Sequence, residues 1–175
     1  PITDHADVRR MLATMRAQVF SARAIALSCA IAIDMAAATG APEWQARAAL
    51  LTPIAKAYGT DTGNEVAQLG VQIHGGMGFV EETGAAQFAR DVRVTSIYEG
   101  TNGIQAMDLT ARKMSDGGAA AFALIDEVQA AAEAARASHP DLATDVWNAA
   151  EALREGTEAL LKQDLTDRFA GARSE

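Results

Sequence analysis

The chain has 175 residues and a mass of 18.3 kDa, enough for one domain with an appendage and too little for a multidomain machine. Apolar residues make up 49% of it but aromatics only 5%, with 14 Gly and 4 Pro, a mix that favours closely packed helices over a β-sandwich. A net charge of −8 opposes sequence-independent binding to nucleic acid, and the single cysteine, Cys29, excludes an internal disulfide or a thiolate cluster and suits a reducing cytosol.

From Asp4 to Ala38 the apolar positions Val8, Met11, Leu12, Met15, Val19, Ala22, Ile25, Ala26 and Cys29 recur at helical spacing, which predicts one helix of roughly 50 Å. Thr39, Gly40 and Pro42 stop it. Pro42 opens a second tract through Trp44, Leu51, Tyr58, Val66 and Ile73, where Pro53 either kinks the helix or starts a fresh one. The run His74-Gly75-Gly76-Met77-Gly78-Phe79 is too rich in glycine to stay helical and reads as a sharp reversal. A short helix is expected from Gly84 to Arg90, while the β-branched residues of Val92 to Tyr98 leave helix or extended structure open. Thr101 is placed to cap a helix running from Asn102 to about Met114.

After Ser115-Asp116-Gly117-Gly118 the composition shifts. Ala119 to Ala137 and Asp141 to Phe169 read as two amphipathic helices hinged at His139-Pro140. The division is therefore a helical bundle over 1–116 and a helical extension over 117–175. The longest apolar run, Ala24 to Ile33, lies between Arg23 and Asp34 and falls short of the ~20 residues a bilayer needs, so no membrane insertion is expected.

Several chemistries drop out on spacing. There is no H-E-x-x-H, and His5, His74 and His139 are far apart, so no metal site is expected. There is no G-x-S-x-G, and the Gly75-Gly76-Met77-Gly78 loop follows a helix rather than a strand, unlike a dinucleotide fingerprint. The informative stretch is Ser96-Ile97-Tyr98-Glu99-Gly100-Thr101-Asn102. A carboxylate follows two bulky residues and precedes a glycine that lets a ligand approach the backbone, just before a helix N-terminus. Glu99 is then either an active-site base or a first-turn glutamate favoured by the helix dipole. Arg90-Asp91 reads as a helix-end ion pair, and Trp44, Tyr58, Trp147, Met11 and Met15 as core or interface residues.

Three separated segments, Val71 to Phe79, Arg90-Asp91, and Ile97-Tyr98-Glu99-Gly100-Thr101, resemble in order the C-terminal α-helical domain of the acyl-CoA dehydrogenases, over roughly residues 4 to 114. The extension resembles that of the longer members, including those acting on 3-methylmercaptopropionyl-CoA. The resemblance implies an all-α, up-and-down four-helix bundle with an appended helical hairpin. It implies that Glu99 is the base that removes the α-proton of an acyl-CoA thioester while the β-hydride passes to FAD, giving a trans-2-enoyl-CoA. The Glu99 N–H would help hold the thioester carbonyl, and Tyr98 and Gly100 would flank the substrate. Thr101 and Asn102 would lie beside the flavin pyrophosphate, and Gln72, Gly75 and Gly76 would touch the FAD of a neighbouring subunit. A homo-oligomer and a separate electron-transfer partner for the reduced flavin follow.

The pattern departs from many shorter members at Gly103, where they carry a hydrogen-bonding side chain. The family's N-terminal helical and middle β-domains are not in this sequence, so the chain is expected to be a piece of a longer protein and inactive by itself. Two other readings keep the fold: a non-catalytic helical module for assembly, with an apolar face left for self-association, and an acyl-CoA oxidase. A nitroalkane-type oxidase would favour Asp where Glu99 stands.

Overall fold

The computed structural model describes residues 1–171, and among them every regular element is helical. Helix α1, Ala6–Thr39, and helix α2, Pro42–His74, are the two long members. At Gly40 the chain turns left-handed (φ 67°) and its N–H bonds the Ala36 carbonyl at 2.9 Å, while Pro42 takes the first position of α2, where a missing N–H costs nothing. Cross-contacts fix an antiparallel register: Ser21 Oγ lies 2.7 Å from Tyr58 Oη, Cys29 Sγ 3.7 Å from Thr52 Oγ1, and Gln18 bonds Glu65.

Pro53 does not start a new helix. It is fully buried within a continuous α2, which forgoes one backbone bond there. The glycine loop is also less irregular than expected, because Gly76–Phe79 forms a single helical turn, α3. Gly78 permits it: a Cβ there would lie 2.2 Å from the Val71 carbonyl oxygen, so the turn folds back against the end of α2. Helix α4, Ala85–Arg93, runs three residues beyond the expected end and packs on α2 where Gly63 leaves room for Val92. The segment left open after it is a 3-10 turn, Val94–Ser96.

Helix α5, Asn102–Met107, passes into a π-helical turn at Asp108–Arg112, so the single helix expected up to Met114 is interrupted. The Lys113 N–H reaches the Asp108 carbonyl at 3.0 Å, and Arg112 Nε bonds the Asp108 carboxylate at 2.5 Å. The bundle thus has two long helices and two short ones, α4 and α5, laid on α2.

The extension forms the expected hairpin from α6, Ala119–Ala135, and α7, Pro140–Leu161. Its seam is made of small side chains, Ala132, Ala143 and Ala150, all at most 5% exposed. The second helix ends earlier than Phe169: Asp164 Oδ1 accepts from the Asp167 N–H at 3.0 Å to begin α8, Leu165–Gly171, and Arg168 bonds the Leu161 carbonyl at 2.8 Å. Arg47 of α2 forms an ion pair with Glu127 of α6, which lowers the pKa of Glu127 mainly through that hydrogen bond.

Helix α1 corrects one expectation. It contains an 18-residue stretch of mean hydropathy 1.7 and is long and apolar enough to cross a membrane by length and composition. In this fold Val8, Met11, Cys29 and Ala32 are buried, whereas Phe20, Leu27 and Ile31 are exposed.

Candidate active site

The residues singled out by sequence fall in two places. The first is the corner between the Val94–Ser96 turn and α5. The N–H groups of Ile97 and Tyr98 both reach the Val94 carbonyl, at 2.9 and 3.1 Å, and close the turn. Glu99 then takes φ 53° and Gly100 φ 82°, and Glu99 is the one non-glycine residue with positive φ among those described. That conformation costs an ordinary side chain of order 1 kcal/mol, so neighbouring structure has to hold it.

Thr101 ends the corner as the expected N-cap, its hydroxyl accepting from the Ile104 N–H at 3.4 Å. Glu99 therefore stands before the cap and outside the helical turns. It is exposed, and no described residue hydrogen-bonds or pairs with its carboxylate. Ile97, Tyr98 and Ile104 around it are each about half exposed, so a free carboxylate lies on an apolar rim.

Asn102, the first residue of α5, behaves differently from a surface ligand. It is 4% exposed and its side chain turns inward onto α2. Lys56 Nζ donates to its Oδ1 at 2.7 Å, and its Nδ2 donates to Asp61 Oδ1 at 2.7 Å and to Thr60 Oγ1 at 2.9 Å. The Thr60 hydroxyl in turn donates to the Lys56 carbonyl at 2.9 Å. What Asn102 leaves for an external anion is its backbone N–H which, with that of Gly103, has no acceptor among the described residues. The sequence reading missed Lys56, Thr60 and Asp61. Their one signal is three polar side chains within six positions of an apolar helix.

The second place is the end of α2, where Gln72, Gly75 and Gly76 are exposed. Gly75 has φ 63° and ψ −144°, a conformation that only glycine adopts readily, and a Cβ on Gly75 or Gly76 would meet nothing within 4 Å. The space beside this loop is open. From Asp61 to Gln72 is about 17 Å along α2 at the helical rise, so one chain does not bring Gln72, Gly75 and Gly76 to the Glu99 corner.

Two further readings are adjusted. Arg90 contacts Glu81 at 3.4 Å and Gln87 at 2.8 Å rather than Asp91, which accepts from Gln87 instead. His74 is held through Nδ1 on the Gly70 carbonyl at 2.7 Å. For a flavin, the start of α5 offers the Asn102 and Gly103 N–H groups, which have no acceptor among the described residues, and the open glycine loop offers a second, separate surface.

Residues 1–114 match the family described as acyl-CoA dehydrogenase, C-terminal domain. The chain is 52% identical over 122 residues, 67% of its length, to the 3-methylmercaptopropionyl-CoA dehydrogenase of Ruegeria pomeroyi, of which this covers 21%. It is 36% identical over 65% of its length to a butyryl-CoA dehydrogenase of Syntrophomonas wolfei, covering 19% of that protein. It is also 31% identical over 61% of its length to subunit CarC of the caffeyl-CoA reductase-Etf complex of Acetobacterium woodii, covering 26% of it. The chain thus spans about a fifth to a quarter of the length of these curated relatives.

Proposed function

The chain belongs to the acyl-CoA dehydrogenase family as its C-terminal helical domain, and on that premise we propose that the whole protein dehydrogenates an acyl-CoA thioester to a trans-2-enoyl-CoA with Glu99 as the base. The observation that carries this is the Glu99 corner: a carboxylate with no partner among the described residues, held left-handed beside Gly100, on an apolar rim.

FAD, when bound, supplies the acceptor for the β-hydride. The chain's own part is narrower. Glu99 takes the α-proton onto its carboxylate, and its backbone N–H donates to the thioester carbonyl, favouring the charge that develops there as the proton leaves. Docking of the acyl group against Tyr98 and Ile97 would strip water from around the carboxylate. Tyr98 and Gly100 flank the substrate. Thr101 and Asn102, with the α5 amides that have no acceptor among the described residues, would hold the flavin pyrophosphate. Gln72, Gly75 and Gly76 would hold a neighbouring subunit's flavin, a role supported by their separation from the Glu99 corner along α2. The exposed Phe79 and Phe88, 81% and 74% exposed, support a homo-oligomer. We assign residues 1–116 to the catalytic bundle and 117–175 to the extension, and place the protein in the cytosol on its single free thiol. The name of the Acetobacterium relative supports an electron-transferring flavoprotein as partner, and that of the Ruegeria relative makes a short thioether acyl group the first substrate to assay.

The test is flavin bleaching by acyl-CoA thioesters in the full-length protein. The native enzyme is expected to bleach with at least one thioester and Glu99→Gln with none, at equal flavin content. Bleaching at the native rate in Glu99→Gln would move the base elsewhere. The 175-residue chain alone is expected to bind FAD weakly or not at all, and flavin reduction by that chain would show that the other domains are dispensable.

A further inference from the structure

Asn102 bridges a cation and an anion. Its carbonyl oxygen accepts from the Lys56 ammonium and its amide donates to the Asp61 carboxylate, each at 2.7 Å, within a part-buried pocket on α2. An amide side chain satisfies both only in one orientation, oxygen toward Lys56 and nitrogen toward Asp61. The arrangement therefore fixes the first residue of α5 in rotation as well as in position. Hydrogen bonds to charged groups are the strong ones, shorter and about twice as strong as neutral ones.

Three residues upstream stands Glu99, in a backbone conformation that it would not hold unaided. Upstream the corner is closed on the Val94 carbonyl. Downstream it has the first backbone bond of α5, Gln105 N–H to the Thr101 carbonyl at 3.0 Å, and two long contacts, the Thr101 cap and a Gln105 side-chain contact to the Gly100 carbonyl, each at 3.4 Å, all of them within the corner and α5 themselves. The Asn102 bridge is the downstream anchor that ties the corner to α2.

We propose that Lys56 and Asp61, with Thr60, are positioning residues that act through Asn102 to hold the Glu99 corner in its reactive conformation. This rests on the reading of Glu99 as the base. None of the three lies at the corner itself: they stand on α2 and set where α5 begins, hence where the carboxylate and the N–H of Glu99 are directed. Because a misplacement of about 1 Å can cost ~10²-fold in rate, loosening this anchor is expected to appear in the chemical step rather than in binding.

The experiment uses the full-length flavoprotein and measures flavin content, KM and the limiting rate of flavin reduction by the best thioester. Lys56→Met and Asp61→Ala are expected to lower the limiting rate about 10- to 100-fold, with flavin content and KM within about twofold of native. Asp61→Asn, which keeps an acceptor for the Asn102 amide, is expected to restore most of the rate lost in Asp61→Ala. Limiting rates within about twofold of native in both Lys56→Met and Asp61→Ala would overturn the proposal. So would a loss that follows flavin content or KM, which would make the bridge a matter of assembly. Glu99→Gln is run alongside: if it reduces flavin at the native rate, the reading of the base fails first and the proposal with it. A dead Glu99→Gln beside native-like Lys56→Met and Asp61→Ala would sink the proposal alone.

Discussion

The Glu99 corner and the Gly75 loop are both glycine-bearing turns at a helix end, and α2 holds them by opposite means. At the corner a polar bridge of Lys56, Asn102 and Asp61 fixes a non-glycine residue at positive φ. At the loop there is no such bridge among the described residues; Gly78 is pressed onto the Val71 carbonyl, and a Cβ on Gly75 or Gly76 would meet nothing within 4 Å. The difference teaches that glycines in one motif do different work. Gly78 serves internal packing, whereas a Cβ on Gly76 would meet nothing within 4 Å among the described residues.

Glu99→Gln breaks the comparison hardest. It should lower the rate of α-proton removal by about 10²- to 10⁴-fold while leaving the fold intact, as stopped-flow flavin reduction and circular dichroism on the full-length protein would show. Next is Gly78→Ala, which forces a methyl against backbone and should destabilise the domain by about 2–3 kcal/mol in urea melts. Gly76→Ala sharpens the contrast: with no positive φ and no neighbour within 4 Å it should leave stability within about 1 kcal/mol of native. Its effect should fall instead on flavin affinity. Should Gly76→Ala destabilise as much as Gly78→Ala, the distinction between the two glycines is wrong. Thr101→Ala removes the long cap bond and should cost about 0.5–1 kcal/mol.

The smallest effect concerns the surface attachment of the extension to α2. Glu127, through its hydrogen bond to Arg47, and Asp108, through its bond to Arg112, have lowered pKa values in the folded protein. A depressed folded pKa means that the stabilisation is fully present above the unfolded values, 4.5 and 3.8, and is lost as pH falls through the folded ones. Urea midpoints measured between pH 7 and 3 should fall, and Glu127→Gln should flatten part of that fall. An unchanged profile in Glu127→Gln would mean that the ion pair contributes nothing.

Much of this was legible in the sequence. The helical period of α1, the stop at Gly40-Ala41-Pro42, the hinge at His139-Pro140 and the cap at Thr101 all rest on local backbone chemistry, which short-range spacing reports well. The setting of Glu99 before a glycine and a helix start was legible as a local pattern, which by itself left a base and a first-turn glutamate both open. Pro53 inside a continuous helix was not legible, since burial between packed elements decides whether a chain tolerates a lost backbone bond. Nor was the break of the last helix at Asp164, which depends on Arg168 folding back to the Leu161 carbonyl.

The sequence by itself determined that this protein is helical and about where its two long helices, α1 and α2, begin and end. Only the tertiary structure decided that Asn102 turns inward to a lysine and an aspartate more than forty positions away, and that the glycine loop and the glutamate lie apart. Spacing along a chain records what neighbours do to one another through the backbone. Contacts between distant helices depend on packing in three dimensions, and no local pattern carries that information.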